Sequence, residues 1–440
     1  MVKAIILYKR TVTFHQFSSL LCKGGSLMKK LIVLFMVFGF ITILAACGGK
    51  EEAAGASMKI ADEVEYGETD YRKIAEANNT LGMKLLKDLS HREDGNIFVS
   101  PTSLYMALAM VYNGAGGVTK EEIAKVLQAE GLSPEEMNEA NASLIAKLAS
   151  DSGAIELNIA NSIWAKDNYK YLESFRESSQ DYFNAEVETM GPGSAEAIND
   201  WVKEETNGKI EGMVDSPLPG DLVAILLNAI YFNGTWQFSF IEELTEEQPF
   251  YPSDGSTTEV PLMNLQEELA YLETDEFQAV ALPYGEGEMS MHVFLPAENS
   301  SLDEFKSSMD EETWSEWMEK FEWKDGKVSL PKFELEYEVN LNETLYDLGM
   351  ETAFSNADLS KMFEESNDLF ISEVKQKSFV NVSEEGTEAA AVTSVAVAET
   401  SAPAHVEPPF EFIVNRPFFF TVTDEETGVI LFMGSIEKPL

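Results

Sequence analysis

Residues 384–409 read EEGTEAAAVTSVAVAETSAPAHVEPP, a strand-like run near the C-terminus that carries no large side chain. Val392, Val395 and Val397 favour extended backbone, and Ala389, Ala390 and Ala391 can be buried without bulk. No Leu, Phe or Trp is present to hold the run in a core. Pro403, Pro408 and Pro409 prevent regular pairing on its far side. An Ala-rich surface helix capped by Thr387 is the alternative, and the β-branched second half counts against it. The segment reads as a strand without a sheet.

The chain around it has 440 residues, 45% of them hydrophobic, enough for a substantial core in one or two domains. Its formal charge of −45 argues against nucleic acid as a partner, because phosphate binding needs clustered Lys and Arg. Near the N-terminus, Met28 to Cys47 reads MKKLIVLFMVFGFITILAAC: two lysines, an apolar run, then small residues before a cysteine. That is the plan of a secretory signal peptide. Leu44-Ala45-Ala46-Cys47 resembles the bacterial lipobox, which implies a lipid-modified Cys47 and an exported protein anchored to the cell membrane on its extracellular side. An uncleaved membrane anchor is the alternative, although the run barely reaches the ~20 residues a span needs. Residues 1–27 read as an upstream extension of the gene, since Met28-Lys29-Lys30 opens a standard signal peptide. With residues 1–46 removed, Cys47 is the only cysteine, so neither a disulfide framework nor a cysteine-based zinc site is expected.

Residues 48–70 are small, polar and charged, and suit a flexible tether. Residues 71–440 read as one domain. Tyr71 to Leu89 has helical spacing, NIFV is a short buried strand, and LYMALAMVYNG is an apolar helix. Thr119 to Leu127 reads as a helix with Thr119 as N-cap and Glu122 completing a capping box. The second half alternates apolar strands (LVAILLNAIYFNGTWQF, MSMHVFLP, KVSLPKFELEYEVN, PFFFTVT, GVILFMGSI) with helical stretches at Leu302 to Phe321 and Leu341 to Leu348. Asp424 to Gly428 joins the last two strands as a hairpin. Helices mixed with antiparallel strands, without a βαβ period, indicate α+β.

Little of this points to catalysis. Beyond residue 47 the histidines are His91, His292 and His405, and no G-x-S-x-G elbow, H-E-x-x-H, P-loop or G-x-G-x-x-G occurs. Gly285-Glu286-Gly287 is more simply a hairpin turn. No catalytic residue, metal site or cofactor is assigned.

Six segments in order resemble the serpins across residues 71–440. EEGTEAAA is similar to the serpin hinge, and FIVNRPFFF to the signature that follows the reactive loop. NIFVSPTSLYMALAM, NAIYFNGTW, LPKFELEYEVNL and VILFMGSI match other serpin segments. The resemblance implies a single-domain α+β fold: a large, mostly antiparallel central sheet, two smaller sheets, several surrounding helices and an exposed reactive loop. It also implies a function. A serine protease would cleave the loop and form an acyl-enzyme, and the loop would then insert as a new strand of the main sheet, a known case of strand addition.

Pleating sets what such a strand must look like. From Thr387, one face would carry Ala389, Ala391, Thr393, Val395 and Val397, all small or β-branched. The other would carry Glu388, Ala390, Val392, Ser394 and Ala396, where the charge of Glu388 reaches solvent. The hinge would run from Glu384 and Glu385 through Gly386, Thr387 and Glu388 to Ala389, Ala390, Ala391 and Val392, with Gly386 supplying backbone freedom. The resemblance further implies a breach region at the top of the sheet containing Trp236 and a Lys332–Glu384 ion pair, worth ~0–1 kcal/mol if exposed. It places Ser100, Ser103 and Asn228 beneath the opening point, in the shutter, where the usual serpin histidine appears as Gln376. An amide replaces its hydrogen bonds without titrating.

Counting the family's loop length from Gly386 lands on Thr400-Ser401 as the reactive bond, within a few residues. The absence of Arg and Lys between Gly386 and Asn415 disfavours trypsin-like targets and favours elastase-like or subtilisin-like ones, with a Glu-specific protease as the outsider. No basic helix offers a heparin-like activator a site, and the inhibitor is expected to be a monomer. A non-inhibitory serpin-fold binding protein at the surface is the second reading, and an exported enzyme on an unrelated fold the third.

Overall fold

The structure is a computed structural model and describes residues 60–61, 63–89, 95–149, 153–364, 369–387 and 408–439. The leader segment Met28 to Cys47 and residues 388–407 lie outside these.

Two sheets organise the described residues. The larger has nine strands and follows the path Ile97–Val99, Ile430–Ile436, Phe418–Asp424, Met289–Pro296, Phe277–Tyr284, Thr258–Glu273, Glu322–Pro331, Phe410–Ile413, with Glu246–Phe250 added beside Thr258–Glu273. All its pairs are antiparallel except Phe410–Ile413 with Glu322–Pro331. The 16-residue strand Thr258–Glu273 pairs along different parts of its length with three neighbours. The two smaller sheets expected from the sequence are therefore one hydrogen-bonded path. Phe418–Asp424 and Ile430–Ile436 are buried at every position, which explains why both are rich in large apolar residues on either face. Asp424 closes their hairpin by accepting from the Thr427 amide and hydroxyl at 2.8 and 2.6 Å.

The second sheet has six strands in the order Phe333–Asn340, Ile371–Val382, Gly386–Thr387, Ala224–Thr235, Ile155–Lys166, Ala185–Met190. One face packs on the main core, to which Leu226, Ile230, Phe232, Val374 and Val380 belong. Ile225, Leu227 and Ala229 point the other way, into a smaller cluster with Ile198 and Val202 of the helix Ser194–Glu205. Helix Pro101–Gly114 is capped by Ser100, opens on a proline and is buried everywhere except Asn113. Its sequence is apolar on all sides because it crosses the interior.

Three local expectations change. Thr119 is not an N-cap: the helix runs Gly117–Val126 from Gly116, without a side-chain cap. Glu122 instead accepts from the Thr352 amide and hydroxyl, and the Thr119 hydroxyl meets the Asp358 amide, so both residues serve a tertiary contact. Leu302 to Phe321 is two helices, Leu302–Ser308 and Glu311–Met318, because Asp310 starts the second with a capping box to Thr313. At the N-terminal edge, half-buried Ile60 already packs on the main core, so the folded body begins before Tyr71.

The core between the nine-stranded sheet and the helices Leu302–Ser308 and Glu311–Met318 is aromatic. Phe294 has the rings of Phe277, Phe305, Trp314, Trp317, Phe321 and Phe419 at 5.5–6.4 Å. Replacing it with alanine leaves a cavity these rings cannot close. Phe294→Ala is expected to cost about 3–5 kcal/mol, read as a lower urea midpoint for unfolding.

Candidate functional site at the hinge

The site lies where the six-stranded sheet stops being continuous. Ala224–Thr235 and Ile371–Val382 run parallel and pair directly from Ala224 and Ile371 up to Ile230 and Ser378. Above that rung they part. The chain leaves Ile371–Val382, turns at Ser383 to Glu385, and comes back between the two strands in the opposite direction. Gly386 pairs with Thr235, while Thr387 pairs with Gly234 on one side and Val382 on the other.

The turn is held by its own polar atoms. The Ser383 amide and hydroxyl donate to the Gly386 carbonyl at 2.9 and 3.0 Å. Gly386 is required for space, since a Cβ there would lie 2.1 Å from the Gly234 carbonyl oxygen. Its φ of +157° is also one that residues with a side chain rarely adopt, so the backbone freedom expected from the sequence and the close approach of two strands both call for glycine here.

Trp236 organises the surroundings. It is buried, its indole N–H donates to the Ser383 carbonyl at 2.9 Å, and its amide donates to the Glu385 carbonyl at 3.0 Å. The Phe240 amide donates to the Glu384 carbonyl at 2.8 Å. Lys332 Nζ donates to one Glu384 carboxylate oxygen at 2.8 Å, and the Thr245 hydroxyl donates to the other at 2.9 Å. Glu384 is buried while Lys332 is largely solvated, so the pair is not the fully exposed one considered above. Burial alone would raise the Glu384 pKa. The bonds from Lys332, a backbone amide and Thr245, with the Lys332 charge, outweigh it and hold the carboxyl below its ordinary value.

Lower down, a buried polar cluster spans the place where the parallel strands first touch. Gln376 accepts from the Ser100 amide at 2.9 Å, and donates to the Ser100 carbonyl at 2.9 Å and the Asn228 side-chain carbonyl at 2.7 Å. Asn228 donates to Asn161 at 2.6 Å and to the Ser103 hydroxyl. The Ser103 amide donates to the Ser100 hydroxyl at 3.2 Å. Gln376 and Asn228 are register partners, so their bond ties the two strands to each other and to the start of the helix Pro101–Gly114.

The hinge, with its paired first rung and the polar pin below it, fits one family. The Serpin (serine protease inhibitor) family profile matches residues 76–439. The chain belongs to the serpin family. It is 36% identical over 383 residues to the leukocyte elastase inhibitor of Bos taurus, which spans 83% of this chain and 100% of the relative. An uncharacterized serpin-like protein of Methanosarcina acetivorans is 31% identical over 431 residues, 94% of this chain and 99% of that one. Among solved structures, the thermophilic serpin tengpin in its native state matches with TM-score 0.78 at 31% identity, covering 86% of this chain and 97% of that chain. Serpins are typically serine protease inhibitors, and the α+β body described here is the serpin fold.

Within this serpin, Glu384, Glu385, Gly386 and Thr387 are brought together with Trp236 and Lys332, and Ser100, Ser103, Asn228 and Gln376 with each other. Glu388, Ala389, Ala390, Ala391, Val392, Thr400, Ser401 and Cys47 lie outside the described residues. His292 sits in the nine-stranded sheet between Thr421 and Ala281, its register partners. Burial lowers its pKa to about 4, and its nearest carboxylate is Glu425 at 3.9 Å.

Two lysines escaped the sequence reading. Lys377 Nζ donates to the Gly212 carbonyl at 2.7 Å and pairs with Glu336 at 2.6 Å. Lys375 Nζ reaches the Met213 carbonyl at 3.1 Å and Glu338 at 3.2 Å. Together they fasten the segment after helix Ser194–Glu205 onto Ile371–Val382. In sequence they look like solvated strand charges, and nothing local marks their carbonyl partners 162 and 165 residues earlier.

A depressed carboxylate pKa gives stability that is complete above the unfolded value and lost as pH falls through the folded one. Hydrogen exchange at the Gly386 and Thr387 amides, corrected for its intrinsic pH dependence, should therefore be steady from pH 7 to 5. It should accelerate once the pH drops below the ordinary glutamate value of 4.5. Glu384→Gln is expected to exchange faster at pH 7 and to lose that acid response.

Proposed function

We propose that this serpin is a suicide-substrate inhibitor of serine proteases whose loop inserts between Ala224–Thr235 and Ile371–Val382. The observation that carries the reading is the position of Thr387, already paired on both sides at the top of a parallel strand pair. Its two ladders share one register with the parallel ladder below: Ile230 faces Ser378, Asn228 faces Gln376, and Leu226 faces Val374. Parting the strands without sliding either leaves rungs that continue from Thr387. Ala389 would come between Phe232 and Val380, Ala391 between Ile230 and Ser378, Thr393 between Asn228 and Gln376, and Val395 between Leu226 and Val374.

Alternation then puts Ala389, Ala391, Thr393, Val395 and Val397 on the main-core face with buried Thr387. These are the small and β-branched residues, and a charge there would be stranded. Thr393 would arrive where Gln376 and Asn228 now bond each other, offering a hydroxyl to both. Glu388 would lie beside half-buried Asn233 and Asn381 on the opposite face. An inserted strand makes two antiparallel ladders in place of one parallel ladder. About a dozen added hydrogen bonds, at roughly 0.5–1.5 kcal/mol each, contribute on the order of 10 kcal/mol. The uninserted fold persists because opening the sheet is slow.

In this reading the chain is bait and trap, and carries no catalytic group of its own. The bond cleaved is Thr400-Ser401 or a close neighbour, and the targets are elastase-like or subtilisin-like enzymes that accept small residues. The similarity to a leukocyte elastase inhibitor supports that choice. The leader supports export and a lipid anchor through Cys47, which would display the inhibitor outside the cell membrane.

Mixing the soluble domain with elastase, subtilisin, trypsin and a Glu-specific protease is expected to give a denaturation-resistant adduct with one of the first two. Mass analysis of the released peptide should place the cut within a few residues of Thr400. Thr387→Arg or Ala389→Arg should turn the inhibitor into a substrate, cleaved without a trapped adduct. A variant that still traps protease at the wild-type ratio would refute insertion along this register.

A further inference from the structure

One contact at the hinge takes no part in the reading above. The hydroxyl of wholly buried Thr387 lies 2.6 Å from the hydroxyl of Tyr284. Tyr284 is equally inaccessible, and burial pushes its phenol well above the ordinary range, so it stays protonated and able to donate. The ring is fixed on two sides: Trp236 stacks on it at 4.2 Å and Phe232 meets it edge-on at 5.1 Å. Its backbone is fixed too, through a bridge to Trp236 and the Gly285 amide donating to the Thr235 carbonyl at 2.9 Å. The phenol therefore belongs to the Ala224–Thr235 side of the slot. Across the slot, the register partner of Thr387 is Val382, which offers no polar side chain.

Register makes this contact consequential. A slip of one residue would send Glu388 to the buried face and Thr387 to the other. A slip of two would put Ala389 against the phenol, leaving a buried hydroxyl without its partner. Only with Thr387 at this rung are both hydroxyls satisfied.

We propose that Tyr284 is a positioning residue for loop insertion: by holding the Thr387 hydroxyl it keeps the hinge in the mouth of the slot, in the register that every later rung inherits. The proposal rests on the insertion mechanism above. It adds a specific, missing link between the nine-stranded sheet, where Tyr284 ends the strand Phe277–Tyr284, and the moving segment.

Tyr284→Phe and Thr387→Val each delete one hydroxyl and keep the shape. In the uncleaved protein at pH 7, either variant should speed hydrogen exchange at the Gly386 and Thr387 amides by about threefold to tenfold. The double variant should match the single ones, since the same bond is lost, and Thr387→Ser should exchange like wild type. With a trapped protease, each single variant should raise the number of inhibitor molecules consumed per adduct by a similar factor, while the rate of loop cleavage holds. A purely structural role would lower overall stability without changing that partition. Unchanged exchange, additive effects in the double variant, or an unchanged partition overturns the proposal. Wild type that forms no adduct refutes the insertion reading itself, which the exchange results leave separately visible. If Tyr284→Phe does not fold, Thr387→Val against Thr387→Ser decides the same question.

Discussion

Two parallel strands, Ala224–Thr235 and Ile371–Val382, lie side by side, and among the described residues Gly386 and Thr387 form the start of a strand between their upper ends. Parallel neighbours pair slightly less well than antiparallel ones, and between two parallel strands an antiparallel one satisfies both. The rest of the molecule is arranged around that geometry. One face of the sheet is finished by the main core and the other by the helix Ser194–Glu205, so anything entering must fit a space already bounded above and below. Under the proposed insertion, this is why the sequence following the hinge would have to be small. The same geometry explains why a glycine stands at 386, where two backbones nearly touch.

What keeps the strands together is local and polar. Gln376 bridges them from below, Lys375 and Lys377 fasten a surface segment across one of them, and Glu384 with Lys332 and Thr245 holds the turn. None of these is large beside the ladder energy that insertion would release. In the proposed mechanism their effect would be on the rate of opening, the quantity that matters for a fold trapped above its lowest state. The aromatic core around Phe294 belongs to the nine-stranded sheet and does not have to move.

Much of this was readable in the residues. Gly386 and Thr387, the first residues of the segment that the sequence singles out, do enter the six-stranded sheet as extended backbone. Trp236, Lys332, Ser100, Ser103, Asn228 and Gln376 came from the family resemblance, since as isolated letters they look like ordinary core and surface positions. What stayed hidden depends on partners distant in sequence. Tyr284 reads as the last residue before a hairpin turn, and its contact with Thr387 spans 103 positions. Thr119 and Glu122 mimic a capping box but answer to Thr352 and Asp358. Asp310 divides an apparently continuous helix because capping, a one-residue event, overrides helical spacing on both sides. KVSLPKFELEYEVN reads as one run, yet at Lys332 it passes from the nine-stranded sheet to the six-stranded one.

The amide at position 376 has a further consequence. Its neighbours Ser100, Ser103, Asn161 and Asn228 are all neutral, so this buried cluster contains no side chain that gains or loses a proton in ordinary media. Acid can act on the turn above through Glu384 but meets no carboxylate within the cluster itself. The amide bond by which Gln376 ties the two strands to each other therefore keeps the same form on either side of neutrality, where an imidazole would change its charge.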